Sequence, residues 1–156
     1  PSERTRTHGP RNVWSSRYPD MIRVFLPWPP SANAYWRVGN NRVYVSKKAK
    51  EYKAQVQGIF LAEKLRRRQG PVSLGLVITF PKDKRTATRD LDNCIKVTTD
   101  ALEGLAFEND NLIRIIMARK DGISGKGGVM AYIRGCSESP TREEIHLAHT
   151  DLWISQ

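Results

Sequence analysis

The chain lacks most of what marks a secreted or membrane protein. Its 156 residues hold two cysteines, Cys94 and Cys136, with no CxxC pair, which excludes a dense disulfide framework. No apolar run approaches the roughly 18 residues needed to span a bilayer. No basic, then apolar, then small-residue signal opens the chain. The reading is a soluble intracellular protein with no membrane partner. Histidine is scarce and misplaced for nucleophilic catalysis: His8, His146 and His149 lie toward the ends, so a Ser/His triad finds no histidine in the central segment. Acids are also few, 16 against 26 Lys plus Arg, giving a formal charge of +10 and a pI near 10.

What is present fits one domain, with 39% apolar residues for a modest core. The positive charge has a location. Residues 1–20 hold four Arg and two acids with little apolar periodicity, and read as a disordered basic arm ahead of Met21. Residues 135–156 are an acidic C-terminal tail, with one Arg and four acids. The central segment, 21–134, therefore carries 21 bases against 10 acids. A basic folded part points to a polyanionic partner, of which nucleic acid is the usual one, against the plainer alternative of a solvated charged face.

The pattern along the chain predicts an α/β (α+β) fold. Ile22–Leu26 reads as a strand ended by Pro27. The stretch LPWPPSANAYWR, with three prolines, reads as an ordered loop rather than a helix or central strand, with Trp28, Tyr35 and Trp36 packing it on the core. After a Gly39–Asn41 turn, Arg42–Val45 reads as a strand. Ser46 is an N-cap for a helix running to about Arg68, with Tyr52, Val56, Ile59 and Phe60 on its apolar face. Val72–Phe80 alternates as a strand with one buried face. Pro81–Arg89 is a basic loop holding Lys82, Lys84, Arg85 and Arg89. A second helix runs from Leu91 to about Leu105, with Leu91, Ile95, Leu102 and Leu105 on one face. Leu112–Lys120 and Val129–Arg134 read as partners across a glycine-rich hairpin, 122–128. Pro140, Thr141 and Glu144 form a capping box for a short C-terminal helix. The sum is one mixed sheet with two main helices packed on a face.

The chemically loaded stretch is RDLDNCIK, Arg89–Lys96. Asp90 and Asp92 are two apart, so extended backbone lets both carboxylates converge. Lys96 follows Asp92 by one helical turn. Asp110 stands at the start of the next strand, and a short return from the helix would bring it near the pair. Clustered carboxylates must be protonated, paired or bound to a cation, and Mg²⁺ accepts such hard oxygen ligands. A carboxylate-held Mg²⁺ in a basic surface suits phosphodiester cleavage, with Lys96 neutralising charge at the phosphorus. The bland alternative is that Asp90 and Asp92 only cap a helix. Cys94 reads as a small core residue beside this site.

LPWPPSANAYWR, YVSKKAKEYK, RDLDNCIKVTTDAL and the END turn, Glu108–Asp110, occur in this order in RusA-type crossover junction endodeoxyribonucleases, which the chain resembles over roughly residues 22–134. The resemblance implies magnesium-dependent cleavage (Mn²⁺ as a substitute) of branched DNA, mainly four-way Holliday junctions, by a homodimer in the cytoplasm of a bacterium or phage-infected host. It assigns three essential aspartates to Asp90, Asp92 and Asp110 and an active-site lysine to Lys96. The family usually carries two acids in its last motif, where this chain has Asn109 and Asp110. Asn33 and Arg37 become DNA contacts by the same resemblance, alongside the basic loop. A two-fold dimer would offer two identical sites to the two symmetry-related strands of a junction. The rival reading is a non-catalytic, structure-selective DNA-binding protein on the same scaffold.

Two further patterns carry less. Gly125-Lys126-Gly127-Gly128 lacks the spacing and strand-to-helix context of a phosphate loop and reads as a hairpin tip with Lys126 toward DNA. His146 and His149, three apart on a helix, have no neighbouring Cys or acid–His pattern to support zinc.

Overall fold

Strand β1 (Met21–Leu26) opens a four-stranded sheet of order β1-β6-β4-β5, where β4 is Val72–Phe80, β5 is Ile113–Ile123 and β6 is Gly128–Gly135. The computed structural model describes residues 21–83 and 90–153, and Trp36 without its side chain. The expected N-terminal arm and the DNA-contact candidates Lys84, Arg85 and Arg89 lie outside the described residues.

Period-two alternation decides which side chains enter the core. Ile22, Val24 and Leu26 of β1, Val72, Leu74, Leu76, Ile78 and Phe80 of β4, and Val129, Ala131 and Ile133 of β6 all point into one buried cluster. Helix α2 (Lys47–Ala62) adds Ala49, Tyr52, Val56 and Phe60 at helical spacing, and α3 (Leu91–Leu102) adds Cys94, Val97, Ala101 and Leu102. Of the expected Leu91/Ile95/Leu102/Leu105 face, Leu102 is fully buried and the other three pack partly buried against the core, while Cys94 is the small core residue anticipated. Ser46 caps α2 as predicted, its Oγ accepting from the Ala49 amide at 3.2 Å. That helix stops at Ala62, six residues short of Arg68. Lys64 then takes φ 54°, a left-handed conformation that ends helical pairing.

Three expectations need correction. β5 and β6 are not hairpin partners: β4 lies between them, parallel to β5 and antiparallel to β6. The glycine-rich loop therefore bridges over the end of β4. Gly127 (φ 69°) makes that close passage feasible, since a Cβ there would lie 2.7 Å from the backbone of Thr79 and Pro81. Second, the proline-rich stretch contains a single-turn helix, α1 (Ala32–Tyr35), just past its last proline, and runs into β2 (Trp36–Gly39). β2 pairs with β3 (Arg42–Val45) in a separate two-stranded ribbon. Its turn places Asn40 and Asn41 at φ 51° and 58°, which asparagine tolerates. Tyr35 and Trp28 do pack on the core, Trp28 at 4.9 Å from the Phe80 ring.

Third, β4 is buried on both faces. Helix α4 (Arg142–Asp151) follows the predicted capping box, with both reciprocal bonds formed. It lies on the sheet's far side, where Val77, Tyr132 and Leu152 form a second cluster. Gly75 leaves room there, because a Cβ would lie 3.2 Å from Leu152. Arg134 locks the arrangement: its Nη2 and Nε donate to Asp151 Oδ1 and Oδ2 at 2.7 and 3.2 Å. Asp151 is almost wholly buried, so its truncation takes the carboxylate from a guanidinium that is itself only 14% exposed. Asp151→Ala should lower unfolding stability by about 3 kcal/mol in urea titrations. A loss below about 0.5 kcal/mol, the size of a neutral surface change, would show that the pair does not fasten α4.

Candidate active site

The parallel β4–β5 pair forces a crossover, and α3 supplies it. The chain leaves the C-terminal end of β4, enters α3 at Asp90 and returns to the start of β5 through a short 3₁₀ turn, Asp110–Leu112. Asp90 occupies the N-cap position in extended conformation (φ −72°, ψ 147°) but its carboxylate makes no capping bond. Asp92 is exposed in the first turn, its Oδ1 accepting from the adjacent Asn93 amide at 2.9 Å. The capping alternative thus fails at Asp90, the position where it would operate.

Lys96 lies one turn beyond Asp92, and Asp100 one turn beyond Lys96. Lys96 Nζ is 3.8 Å from Asp100 Oδ2. Burial raises the Asp100 pKa above the ordinary carboxylate range; Asp110 raises it further, against the opposing charges of Lys96 and Lys53. Asp100 lies in the last turn of α3, and Asp110 opens the 3₁₀ turn that leads into β5. Asp92 and Asp100 are separated by about 12 Å along the helix axis at 1.5 Å per residue. Among the described residues, no three His, Cys, Asp or Glu side chains gather closely enough to hold a metal ion. Asp90 and Asp92 thus stand at the head of α3, Asp100 pairs with Lys96 in its last turn, and Asp110 stands just before β5.

Asp100 escaped the sequence reading. Its signal was there: Asp92, Lys96 and Asp100 fall at i, i+4 and i+8 on one helix face. Tyr35, at the end of α1, senses it too. Burial raises the Tyr35 pKa first, then Asp100 and Glu103 add to the shift. α1 packs against α3, which places the exposed Asn33 on the element beside the site.

The cationic candidates divide between two places. Lys82 and Lys126 share the C-terminal end of β4, where the Lys82 amide donates to Gly125 O at 3.1 Å and the Ser124 amide to Phe80 O at 2.8 Å. Both lysines are exposed, at the end of the sheet from which the chain enters α3. Arg37 is exposed on the β2–β3 ribbon, opposite Tyr44. Of the histidine pair, His149 packs on Trp153: its Nε2 accepts from Trp153 Nε1 at 3.4 Å, and the two rings lie 6.2 Å apart.

The crossover helix of this mixed sheet thus opens on Asp90, which caps nothing, and on the exposed Asp92. Residues 27–134 match the family model described as "Endodeoxyribonuclease RusA", and the chain belongs to that family. It is 34% identical over 87 residues to a "Crossover junction endodeoxyribonuclease rusA" of Enterobacteria phage HK97, covering 55% of this chain and 70% of that protein. A protein of the same name from Enterobacteria phage 82 is 34% identical over 93 residues, 59% and 75% of the two chains. An Escherichia coli relative named "Crossover junction endodeoxyribonuclease RusA" is 35% identical over 89 residues, 56% and 72%. No helix among the described residues is long and apolar enough to cross a membrane.

The uncapped state of Asp90 has a measurable consequence. Removing a working N-cap typically costs about 1 kcal/mol. Asp90→Ala should leave unfolding stability within about 0.5 kcal/mol of wild type. A full cap-sized loss in the same denaturation experiment would return Asp90 to a structural role.

Proposed function

We propose that the chain is a magnesium-dependent endodeoxyribonuclease that resolves four-way Holliday junctions and related branched DNA by paired symmetric nicks, acting as a cytoplasmic homodimer. One observation carries the reading: a carboxylate at the head of α3 that caps nothing, followed by exposed Asp92 and, one turn on, Lys96. Asp90 and Asp92 supply hard oxygen donors of the kind Mg²⁺ takes one or two at a time while keeping its waters. A bound ion, Mg²⁺ or Mn²⁺ in its place, would supply an activated water and stabilisation of the leaving oxygen.

The protein's own side chains do the rest. Lys96 offsets charge that grows on the phosphoryl oxygens. Asp110, at the other end of the α3 strip, keeps the role that the family resemblance gives it as the third essential acid. Lys82 and Lys126 hold the DNA backbone beside the head of α3, and Lys84, Arg85 and Arg89 continue that contact in the chain. Asn33 and Arg37 reach the DNA from α1 and the ribbon. A two-fold dimer offers both scissile strands the same site.

Incubation with a synthetic four-way junction, a flap and linear duplex tests the reading. Symmetric nicks should form on the junction with Mg²⁺ and vanish in EDTA. Asp92→Asn should abolish cutting while leaving junction binding intact or tighter, because it removes an ion ligand and some repulsion toward phosphate. Cutting by Asp92→Asn at the wild-type rate would remove it from the site. A mobility shift with no cutting under any divalent ion would replace the nuclease reading with a non-catalytic junction binder.

Joint replacement of Lys82 and Lys126 by Ala should flatten the log–log salt dependence of junction binding by about 2, near 0.9 per released counterion. An unchanged slope would take the β4 end out of the interface.

A further inference from the structure

Asp100 stands where helix energetics disfavour an acid. It lies in the last turn of α3, where the helix dipole repels negative charge. It follows Lys96 rather than preceding it, the weaker order for an i, i+4 pair. Its Oδ2 is buried without a hydrogen bond, and burial raises its pKa above the ordinary range against the opposing charge of Lys96. The carboxylate side chain is 20% exposed while that of Lys96 is 60% exposed, so the pair does not float free in water. A buried oxygen with no hydrogen bond, offset only by an ammonium 3.8 Å away, adds little to stability.

We propose that Asp100 is a positioning residue for Lys96. It draws the ammonium along the α3 face to a fixed place between the Asp92 end and the Asp110 end. A lysine has four rotatable carbons and a strongly hydrated head, and left alone it samples many positions. The Asp100 carboxylate, 3.8 Å from Nζ, narrows that range before substrate arrives. This inference rests on the junction-cleaving reading for its catalytic consequence but not for the ion pair itself.

The test uses the full chain and Asp100→Asn, which keeps the side chain's size and removes its charge. Single-turnover cleavage of a four-way junction should slow about tenfold, the scale of a misplaced catalytic group. Junction affinity should hold, the melting temperature should stay or rise, and Asp100→Glu should recover most of the rate. In a Lys96→Met background, Asp100→Asn should cost nothing further. A wild-type rate for Asp100→Asn, or an equal loss with and without Lys96, overturns the proposal. So does a fall in melting temperature that tracks the lost activity. A readout independent of cleavage accompanies these: acylation of Lys96 by an N-hydroxysuccinimide ester, followed by mass spectrometry. It should quicken about twofold in Asp100→Asn, the scale of a modest ion pair, with Lys47 as the unaffected reference. Unchanged Lys96 reactivity sinks the proposal even where the protein proves not to cut DNA. Failure of the wild type to cut, with quickened acylation in the variant, sinks the nuclease reading and keeps the ion pair.

Discussion

Parallel pairing of β4 with β5 is the constraint from which the rest of the molecule follows. Two parallel neighbours cannot be joined by a turn, so the chain must travel back along the sheet before the second strand begins. α3 is that return. Its apolar stripe, Cys94, Val97, Ala101 and Leu102, is fixed by the sheet beneath it, and the opposite flank is thereby delivered to the surface as Asp92, Lys96 and Asp100. The chemistry of the site is the outward side of a connection the topology demands. Asp90 and Asp110 sit at its two ends for the same reason, one where the chain leaves β4 and the other where it reaches β5.

The same topology explains the loop over β4. Since β6 returns on the far side of β4 from β5, the link between them spans a strand instead of closing a hairpin. Glycines at 127 and 128 clear backbone and ring atoms that any side chain would strike. The crossing holds Lys126 against the start of the basic loop at Lys82. Charge placement here is a by-product of how the strands are ordered.

Much of this was legible in the residues. The alternation of β4, the Ser46 cap and the capping box at Thr141 are local signals, and each stood in the chain as read. Strand order was not, because Leu112–Lys120, a glycine-rich loop and Val129–Arg134 look the same whether the strands pair with each other or straddle a third. The second buried face of β4 was hidden behind small and polar residues, Ser73, Gly75 and Thr79, which suit a close-lying helix as well as they suit solvent. The one-turn helix at Ala32–Tyr35 is too short to leave a period. Spacing pointed to Asp90, Asp92 and Lys96, but it gave no sign that Lys96 pairs with Asp100 a turn further on.

The β2–β3 ribbon is joined to the body through its base, where the Ser46 amide meets the Tyr35 carbonyl at 2.8 Å, and it ends in two consecutive asparagines. A turn so placed accepts foreign sequence without touching the sheet or its helices. It is a ready point for grafting a fluorophore-bearing peptide, which would show whether DNA approaches the ribbon that carries Arg37.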